Sequence, residues 1–385
     1  MDDGRRRRRA KQGRRDARRR RSRNEDAGEL PLIKEVRRAL TRGHPIKLLA
    51  LASGMIHLSK PDRWGYLKAE KREPFPLDVV IAAYIGMKVR ESTAMLAVLA
   101  ELLPDDAEWK ARCRLEVETR THLLPTWLAH LPDIRVHRVV RKTHILGDRD
   151  ELWLGARLAG GQELTCAVAI NHNMFSEVAD VSVWATPIDE VMRGDDRQDF
   201  SSAALSLADA KAWIRHGLEH AFFPDDSDSS PGCRPLLVWL VGHLPDGGEA
   251  YRRPSWDWQE AEAVIDEFFA STVGRRFAGS GYREVLDAVL ETGTGDPLRW
   301  SAARIRHALA GASYDDDGIP LEVQINAPEL LRAYVPFAHA RSGIREELTD
   351  EALAAIDNLA PAYHEELIDS ARDHGDLFGE EVVAQ

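Results

Sequence analysis

The chain has 385 residues, of which 44% are hydrophobic and 30% charged, a composition typical of a folded protein with a large core. Its apolar runs, such as residues 236–241, are far shorter than the ~20 residues that cross a bilayer, so no membrane-spanning helix is expected. Three isolated cysteines, and no apolar segment after the first cationic residues, predict a cytoplasmic protein without a disulfide framework.

The N-terminal segment is strongly cationic. Thirteen of the first 24 residues are Arg or Lys and three are Asp, so this segment carries a net charge of +10. The whole chain carries −11, so the remaining residues sum to −21. This asymmetry predicts a polyanionic partner, and we expect residues 1–28 to form a disordered tail that binds nucleic acid without reading its sequence. The expected phosphate contacts are Arg5, Arg6, Arg7, Arg8, Arg9, Arg14, Arg15, Arg18, Arg19, Arg20, Arg21 and Arg23.

Two other interpretations of the cationic segment stay open. Its arginines can pair with carboxylates of the acidic remainder of the chain instead of with a partner. Alternatively, the segment is extra coding sequence from a start codon assigned too far upstream. The chain holds 42 Arg against 10 Lys, which is typical of a GC-rich reading frame.

Helical periodicity follows directly after this segment. Apolar residues spaced three and four apart predict helices over 32–40, 45–58, 77–85, 92–103 and 105–131, the last of them broken near Pro125. Residues 29–132 are therefore predicted to be a helical segment.

The periodicity then changes to alternation. Apolar residues alternate over 152–158 and over 164–170, and Gly160-Gly161 between them predicts a hairpin with a type I′ turn. With the runs 134–145 and 178–184, this gives a four-stranded antiparallel meander over 133–187.

The first predicted strand is basic. Its cationic side chains either extend a phosphate-contacting surface or protect an edge strand against aggregation, and we favour the edge strand. The side chains are those of Arg135, His137, Arg138, Arg141, Lys142 and His144.

Helical patterns return after the sheet. Ser206 and Asp209 predict a capping box, and further helices are expected over 206–223, 261–269, 282–290, from Pro297, from Pro328, over 349–359 and over 361–372. Residues 188–385 are thus predicted to be a second helical segment. The predicted fold class is α+β and predominantly helical, with a small meander flanked by N- and C-terminal helical segments, and with residues 29–385 in one globular unit.

Polar side chains follow the third predicted strand. Asn171-His172-Asn173 lies where that strand ends, and Glu177 and Asp180 come soon after. Polar groups at a strand end suit general acid–base chemistry, so His172, Asn173, Glu177 and Asp180 are the candidate catalytic residues. The alternative is a turn in which Asn and His side chains satisfy their own loop.

His216-Gly217-Leu218-Glu219-His220 matches the H-x-x-E-H pattern of inverted zinc peptidases. On a helix, the two imidazoles would lie one turn apart and bind Zn²⁺, with Glu219 as general base. No third ligand is identifiable, and a pattern this short often matches by chance. We therefore predict no metal and no cofactor.

Three stretches are distinctive: residues 151–173, Asp296-Pro297-Leu298-Arg299-Trp300-Ser301, and residues 327–359. They resemble an uncharacterised family of conserved actinobacterial proteins, over about residues 30–367 and without the Arg-rich segment. The resemblance implies no activity. It implies that relatives carry Asp where this chain has Asn171, so that a carboxylate role at this position is lost here.

The leading functional prediction is a non-enzymatic binding or regulatory protein whose Arg-rich segment engages nucleic acid. One alternative is a hydrolase, with a site near His172 or a metal site at His216, Glu219 and His220. A protein-interaction scaffold is the other. The sequence contains no phosphate-binding G-x-x-x-x-G-K-[ST] loop and no G-x-S-x-G motif that would favour a particular enzyme class.

Overall fold

The computed structural model describes residues 31–61, 73–104, 108–220, 231–252, 256–312 and 319–379. Over these residues the architecture is α+β, with one antiparallel sheet that lies between two helical stretches of the chain. The predicted fold class is confirmed at this level. The Arg-rich segment 1–28, with its predicted disorder, lies outside the described residues.

The first helices pack around one central helix. They are α1 (Pro31–Arg42), α2 (Ile46–Ser59), α3 (Leu77–Gly86), α4 (Arg90–Leu102), α5 (Glu108–Thr119) and α6 (Thr126–Ala129). Helix α4 is central because its Ala, Met, Leu and Val side chains are buried on several sides, against α1, α2, α3 and α5. Helix α5 ends before the break predicted near Pro125. Just after it, the buried Arg120 guanidinium donates to the carbonyls of Tyr84 and Ile85 at the end of α3.

The sheet has five strands, not the four predicted. They are β1 (Arg135–His144), β2 (Arg149–Arg157), β3 (Glu163–Asn171), β4 (Glu177–Trp184) and β5 (Phe200–Ala204), in the order β4-β3-β2-β1-β5. The meander β1–β4 is confirmed, and β5 adds to it by antiparallel pairing with β1. Strand β5 lies within the segment predicted to be helical. Its residues Phe-Ser-Ser-Ala-Ala are mostly exposed, so the apolar alternation that marks a half-buried strand is missing.

Strand β1 is not an edge strand over residues 140–144, because β5 pairs with these residues on the side that β2 leaves open. The prediction of a charge-protected edge is therefore wrong for the second half of the strand. Its cations pair instead with carboxylates of the same protein: Arg138 with Asp189, Arg141 with Asp150, and Lys142 with Asp195. Such internal pairing also argues against a phosphate-contacting surface on this strand.

The hairpin between β2 and β3 is confirmed, but its turn type differs from the prediction. A type I′ turn needs positive φ at both central residues, and of the two glycines only Gly161 has it, at 83°. The Gly161 N–H donates to the Leu158 carbonyl at 2.9 Å, and the Leu158 N–H donates to the Gln162 carbonyl at 2.9 Å. One left-handed glycine therefore suffices to close this turn.

The two faces of the sheet have different surroundings. Leu152, Leu154 and Val168 point into a large core shared with the N-terminal helices, α8 (Leu207–Glu219) and α9 (Arg234–Gly242). The opposite face is covered only in part, by the short helix α7 (Ile188–Arg193). This helix approaches closely because β2 carries Gly155, where an added Cβ would lie 2.6 Å from Ile188 Cγ2.

The C-terminal helices form a second core around Phe268, Trp300 and Tyr334. They are α10 (Trp258–Ala270), α11 (Tyr282–Leu290), α12 (Ala302–Leu309), α13 (Leu321–Gln324), α14 (Ala327–Ser342) and α15 (Glu346–Gly379). Helix α12 does not begin at Pro297 as predicted. Ser301 caps it, by accepting the Arg304 N–H, and the Asp296 carboxylate holds the preceding turn through the Leu298 N–H.

Two predicted C-terminal helices are one. Pro361 lies inside α15, where it removes one helical hydrogen bond without ending the helix. The two cores meet in a small apolar cluster of Leu146, Ile344 and Leu348, beside a bidentate pair of Arg345 with Asp199 at 2.7 Å. None of the helices in the described ranges is long and apolar enough to span a bilayer.

His339 makes the stability of the second core depend on pH. Its Nε2 accepts the Trp300 N–H at 3.1 Å, so the ring proton sits on Nδ1, 2.9 Å from Thr349 Oγ1. Burial lowers the pKa of His339 from 6.5 to about 4. Between these pH values the unfolded chain binds a proton that the folded chain does not. We therefore expect the free energy of unfolding to fall by about 1.4 kcal/mol per unit as pH drops from 6.5 towards 4.

The measurement is urea unfolding between pH 5 and 7, compared with the variant His339→Gln. Glutamine can accept the Trp300 N–H but does not titrate, so the difference in slope between the two proteins isolates His339. Equal slopes would contradict the prediction.

Candidate ligand-binding cleft

The uncovered face of the sheet carries a cleft made of two adjoining cavities. One, of about 370 Å³, lies over the middle of β2–β4 beside α7, and the other, of about 530 Å³, lies at the end of the sheet facing α12 and α15. Both are lined by Arg149, Ala169 and Asp180, so they adjoin. We call this combined space the sheet cleft. Its size falls in the range of small-molecule sites.

Small side chains create the floor of the sheet cleft. Ala167 and Ala169 of β3 and Ser182 of β4 point to the same face, since residues two apart on a strand share a face. Trp153 and Trp184 stand beside this floor with ring centroids 6.0 Å apart. Trp184 is 38% exposed, so an aromatic surface remains available at the mouth of the cleft.

Glu151 organises the end of the sheet cleft near α7. Its carboxylate accepts hydrogen bonds from both terminal nitrogens of Arg197 at 2.8 Å and from the Trp153 indole N–H at 3.1 Å. It also forms an ion pair with Arg149 at 3.0 Å. Burial alone would raise the pKa of Glu151, but these cationic partners outweigh burial and lower it. The group is therefore ionised at neutral pH, and the two arginines are held in place.

Asp148 and His144 mark the other end of the sheet cleft. Burial would raise the pKa of Asp148, but hydrogen bonds from three neighbours lower it, so this carboxylate is also ionised. The neighbours are His144, Ser301 and Asn173. Ser301 brings the start of α12 to the cleft, so the site joins the sheet to the C-terminal core.

The His144 ring lines the cavity at this end of the sheet cleft. Its Nδ1 lies 3.3 Å from the Leu146 backbone nitrogen and 3.5 Å from Asp148 Oδ1, so both neighbours hold the ring in place. The ring therefore presents a polar group to a bound molecule.

The sheet cleft is acidic. Five carboxylates and two guanidinium groups line it, and the carboxylates belong to Asp148, Glu151, Asp180, Asp195 and Glu351. Lys142, which pairs with Asp195, reduces this excess of negative charge but does not remove it, so the cleft favours cationic ligands and disfavours anionic ones.

His172, the leading candidate from the sequence, lies on the opposite face of the sheet. With Asp150 ionised, His172 Nε2–H donates to Asp150 Oδ2 at 2.9 Å, and Nδ1 accepts the Ser176 hydroxyl at 2.9 Å. The ring stacks on Tyr251 with centroids 4.2 Å apart. His172, Asp150 and Ser176 are all buried, and none of them lines the sheet cleft.

Asp150 is the centre of this buried network. Its carboxylate also accepts hydrogen bonds from Arg141 Nε at 3.1 Å and from the Thr143 hydroxyl at 2.6 Å. Burial would raise its pKa, but the hydrogen bonds from His172, Thr143 and Arg141 lower it. A charged Asp150 is therefore part of the folded state.

The other predicted catalytic residues are divided between the two faces. Asn173 is buried and donates to Asp148 at 3.3 Å, behind the sheet cleft. Asp180 lines the cleft itself, and the neighbouring Asn171 does too. Glu177 pairs across the strands with Asn171 but lines neither cavity. The structure thus brings Asp180 to the cleft but does not gather the four residues into one site.

The H-x-x-E-H pattern is only partly helical. Helix α8 ends at Glu219, and the His220 Nδ1 is bonded to the His216 carbonyl at 2.8 Å. The two rings stack with centroids 4.1 Å apart. Within the described ranges, no group of three His, Cys, Asp or Glu side chains could hold a metal ion.

Sequence reasoning missed most of the sheet cleft. His144, Asp148, Glu151, Trp184 and Ser301 come from separate stretches, and only the fold brings them together. One signal was available. It concerns the buried network on the opposite face: Asp150 stands two residues before Leu152 and four before Leu154, so alternation alone places a carboxylate on the apolar face of the sheet.

Comparisons with known proteins give no further guide to function. No family model, no curated protein and no solved structure matches this chain.

Proposed function

We propose that this is a non-enzymatic binding protein whose sheet cleft takes a small organic amine. The carrying observation is a cleft of ligand size in which five carboxylates face two guanidinium groups. A protonated amine would be attracted by this charge and would gain cation–π contact with the exposed ring of Trp184. The His144 ring offers a polar contact at the far end.

Filling the sheet cleft should remove amine binding. Ala169 lies on the floor shared by both cavities, so the variant Ala169→Phe would occupy the space that a ligand needs. Ala203→Phe is the matched control, because Ala203 lies exposed in the same sheet and lines neither cavity. At a hundred times its Kd, an amine stabilises the folded protein by about 2.7 kcal/mol, which thermal unfolding detects.

The screen compares phenethylamine and related amines with their neutral and carboxylate analogues. Stabilisation by amines in the parent and in Ala203→Phe, but not in Ala169→Phe, supports the proposal. Preference for the carboxylate analogues, or equal stabilisation in both variants, would overturn it.

We also propose, on charge alone, that the Arg-rich segment binds nucleic acid. It carries +10 within 24 residues, while the rest of the chain carries −21 and offers little attraction for phosphates. Each neutralised phosphate contributes about −0.9 to the slope of log K against log salt on duplex DNA. We expect a steep slope for the full chain, and weak binding with a slope near zero when the twelve arginines from Arg5 to Arg23 are changed to Gln. Equal retardation of duplex DNA by both proteins in gel-shift assays would contradict the proposal.

The hydrogen-bond order Ser176–His172–Asp150 favours a hydrolase as a third candidate function. It is the order of a nucleophile, a general base and a carboxylate that orients the base. Ser176 also has a positive φ of 58°, a strained conformation that occurs at some functional sites. A fluorophosphonate that labels Ser176 in the parent but not in Ser176→Ala would support this candidate. Absence of labelling, together with full stability, would remove it.

A further inference from the structure

A second cavity lies away from the sheet cleft, among helices that pack on the opposite face of the sheet. It has a volume of about 660 Å³ and is lined by residues of α2, α4, α5, α8 and α9. No residue of its lining belongs to the sheet cleft. We call it the basic pocket.

The charge of the basic pocket is opposite to that of the chain. Its described lining contains one carboxylate, from Glu101, and four cations, which belong to Lys60, Lys110, Arg114 and Arg234. The residues after the first 24 sum to −21, so this concentration of positive charge is a local reversal. A concave site with cationic walls has a raised positive potential inside it, which attracts anions.

Neighbouring elements place these cations. Lys110 Nζ, on α5, donates to the Leu103 carbonyl at 2.9 Å and so closes the end of α4. Arg114 lies one turn further along α5, with a guanidinium nitrogen 3.6 Å from Glu101. That distance is longer than a hydrogen bond, so Arg114 can donate to a ligand that approaches it more closely. Arg234 begins α9 on the opposite wall and donates to the Val178 carbonyl at 3.1 Å.

The remaining wall of the basic pocket is apolar. Leu102, Val238 and Trp239 contribute to it, and Val238 is 57% exposed. The Trp239 indole N–H is buried and has no hydrogen-bond partner in the described part of the chain. An acceptor that reached this N–H would relieve the cost of leaving a buried donor unpaired.

From this combination we infer that the basic pocket binds a small organic anion, with an apolar ring or chain against Val238 and Trp239 and a phosphate or carboxylate group among the cations. Guanidinium groups bind either head group through paired N–H donors. The volume accommodates a molecule larger than the bare ion. This site is independent of the sheet cleft, and its ligand is of opposite charge.

The test is calorimetric titration of the full chain with phenyl phosphate, phenylacetate and neutral benzyl alcohol at about 150 mM salt. At this ionic strength the Debye length is about 8 Å, which weakens non-specific attraction to the Arg-rich segment. We expect saturable binding of one or both anions and none of the alcohol. Which anion binds more tightly identifies the head group.

Two pairs of variants locate the binding. Val238→Glu adds a carboxylate to the exposed wall, and Val238→Gln is its neutral control of the same size. Arg114→Gln removes a cation of the pocket, and Arg112→Gln removes a cation of the same helix that stacks on Trp109 outside the pocket. We expect at least about a tenfold loss of affinity in Val238→Glu and in Arg114→Gln, with both controls near the parent.

Absence of anion binding to the full chain would overturn the inference, as would equal affinities within both pairs. Thermal unfolding of each variant confirms that it is folded. Ala169→Phe should bind these anions like the parent, so that failure of the sheet-cleft proposal and failure of this one are separate results.

Discussion

Replacing Asp150 by alanine is expected to lower the free energy of unfolding by about 3–5 kcal/mol, because it breaks a buried ion pair from one side. Asp150 is fully buried on the apolar face of the sheet, where it accepts Arg141, Thr143 and His172 together. Without the carboxylate, the buried His172 N–H loses its acceptor, and Arg141, which is 32% exposed, loses its ion pair. The measurement is urea unfolding at pH 7.

Two controls separate this effect from a general sensitivity to substitution. Asp133→Ala removes an exposed carboxylate beside His130, and should change stability by less than about 0.5 kcal/mol. Asp150→Asn keeps the shape but loses the charge, so it should be destabilised less than Asp150→Ala. A loss of less than about 1 kcal/mol in Asp150→Ala would show that the network relaxes around the gap and would contradict the prediction.

Acid pH provides an independent check on the same residue. The pKa of Asp150 is lowered in the folded protein, so its stabilising contribution is present above its ordinary value of 3.8 and is lost as pH falls through the folded value. In Asp150→Asn this part of the acid dependence should disappear. The difference in the free energy of unfolding between the parent and Asp150→Asn should therefore be smaller below pH 4 than at pH 7.

Local patterns predicted the sheet well where one face is apolar. Strands β1 to β4 follow from alternation, and Gly160-Gly161 marked the hairpin between two of them. Strand β5 has no such pattern, because its side chains are exposed and its pairing with β1 is through the backbone. Helix ends were predicted less well where a tertiary contact contributes. Helix α12 begins at Ala302, five residues after Pro297, and the backbone N–H of Trp300 before it donates to His339.

The site was predicted less well for a different reason. The sequence analysis singled out His172 as a polar residue at a strand end, but its neighbours in the fold could not be predicted from the sequence. Asp150 lies 22 residues earlier in the chain and Tyr251 lies 79 residues later, and both contact the ring. Burial of that network is a property of the packed fold, and burial excludes His172 from the sheet cleft.

The sheet cleft depends on the second core as well as on the sheet. Ser301 reaches the cleft from the N-cap of α12, and Leu348 and Glu351 reach it from α15. A residue that holds the start of α12 should therefore affect both stability and ligand binding. Arg304 holds that start.

Arg304→Met is expected to cost about 3–5 kcal/mol of stability, because it leaves several buried carbonyls without a donor. The guanidinium of Arg304 is fully buried and donates to the carbonyls of Asp296, Arg299 and Leu290. It also lies 3.9 Å from the centroid of the Trp300 ring. Methionine fills a similar volume but supplies none of these hydrogen bonds.

Arg304→Lys tests whether charge alone is enough. A lysine ammonium cannot reach three separate carbonyls with the planar fork of a guanidinium, so we expect it to restore less than half of the loss. Arg306→Met changes the same type of residue two positions later on the exposed side of α12, and should stay within about 0.5 kcal/mol of the parent. If Arg304→Lys had the same free energy of unfolding as the parent, the planar shape of the guanidinium would not be needed. The buried charge and the packing of the rings would then be enough to hold the second core.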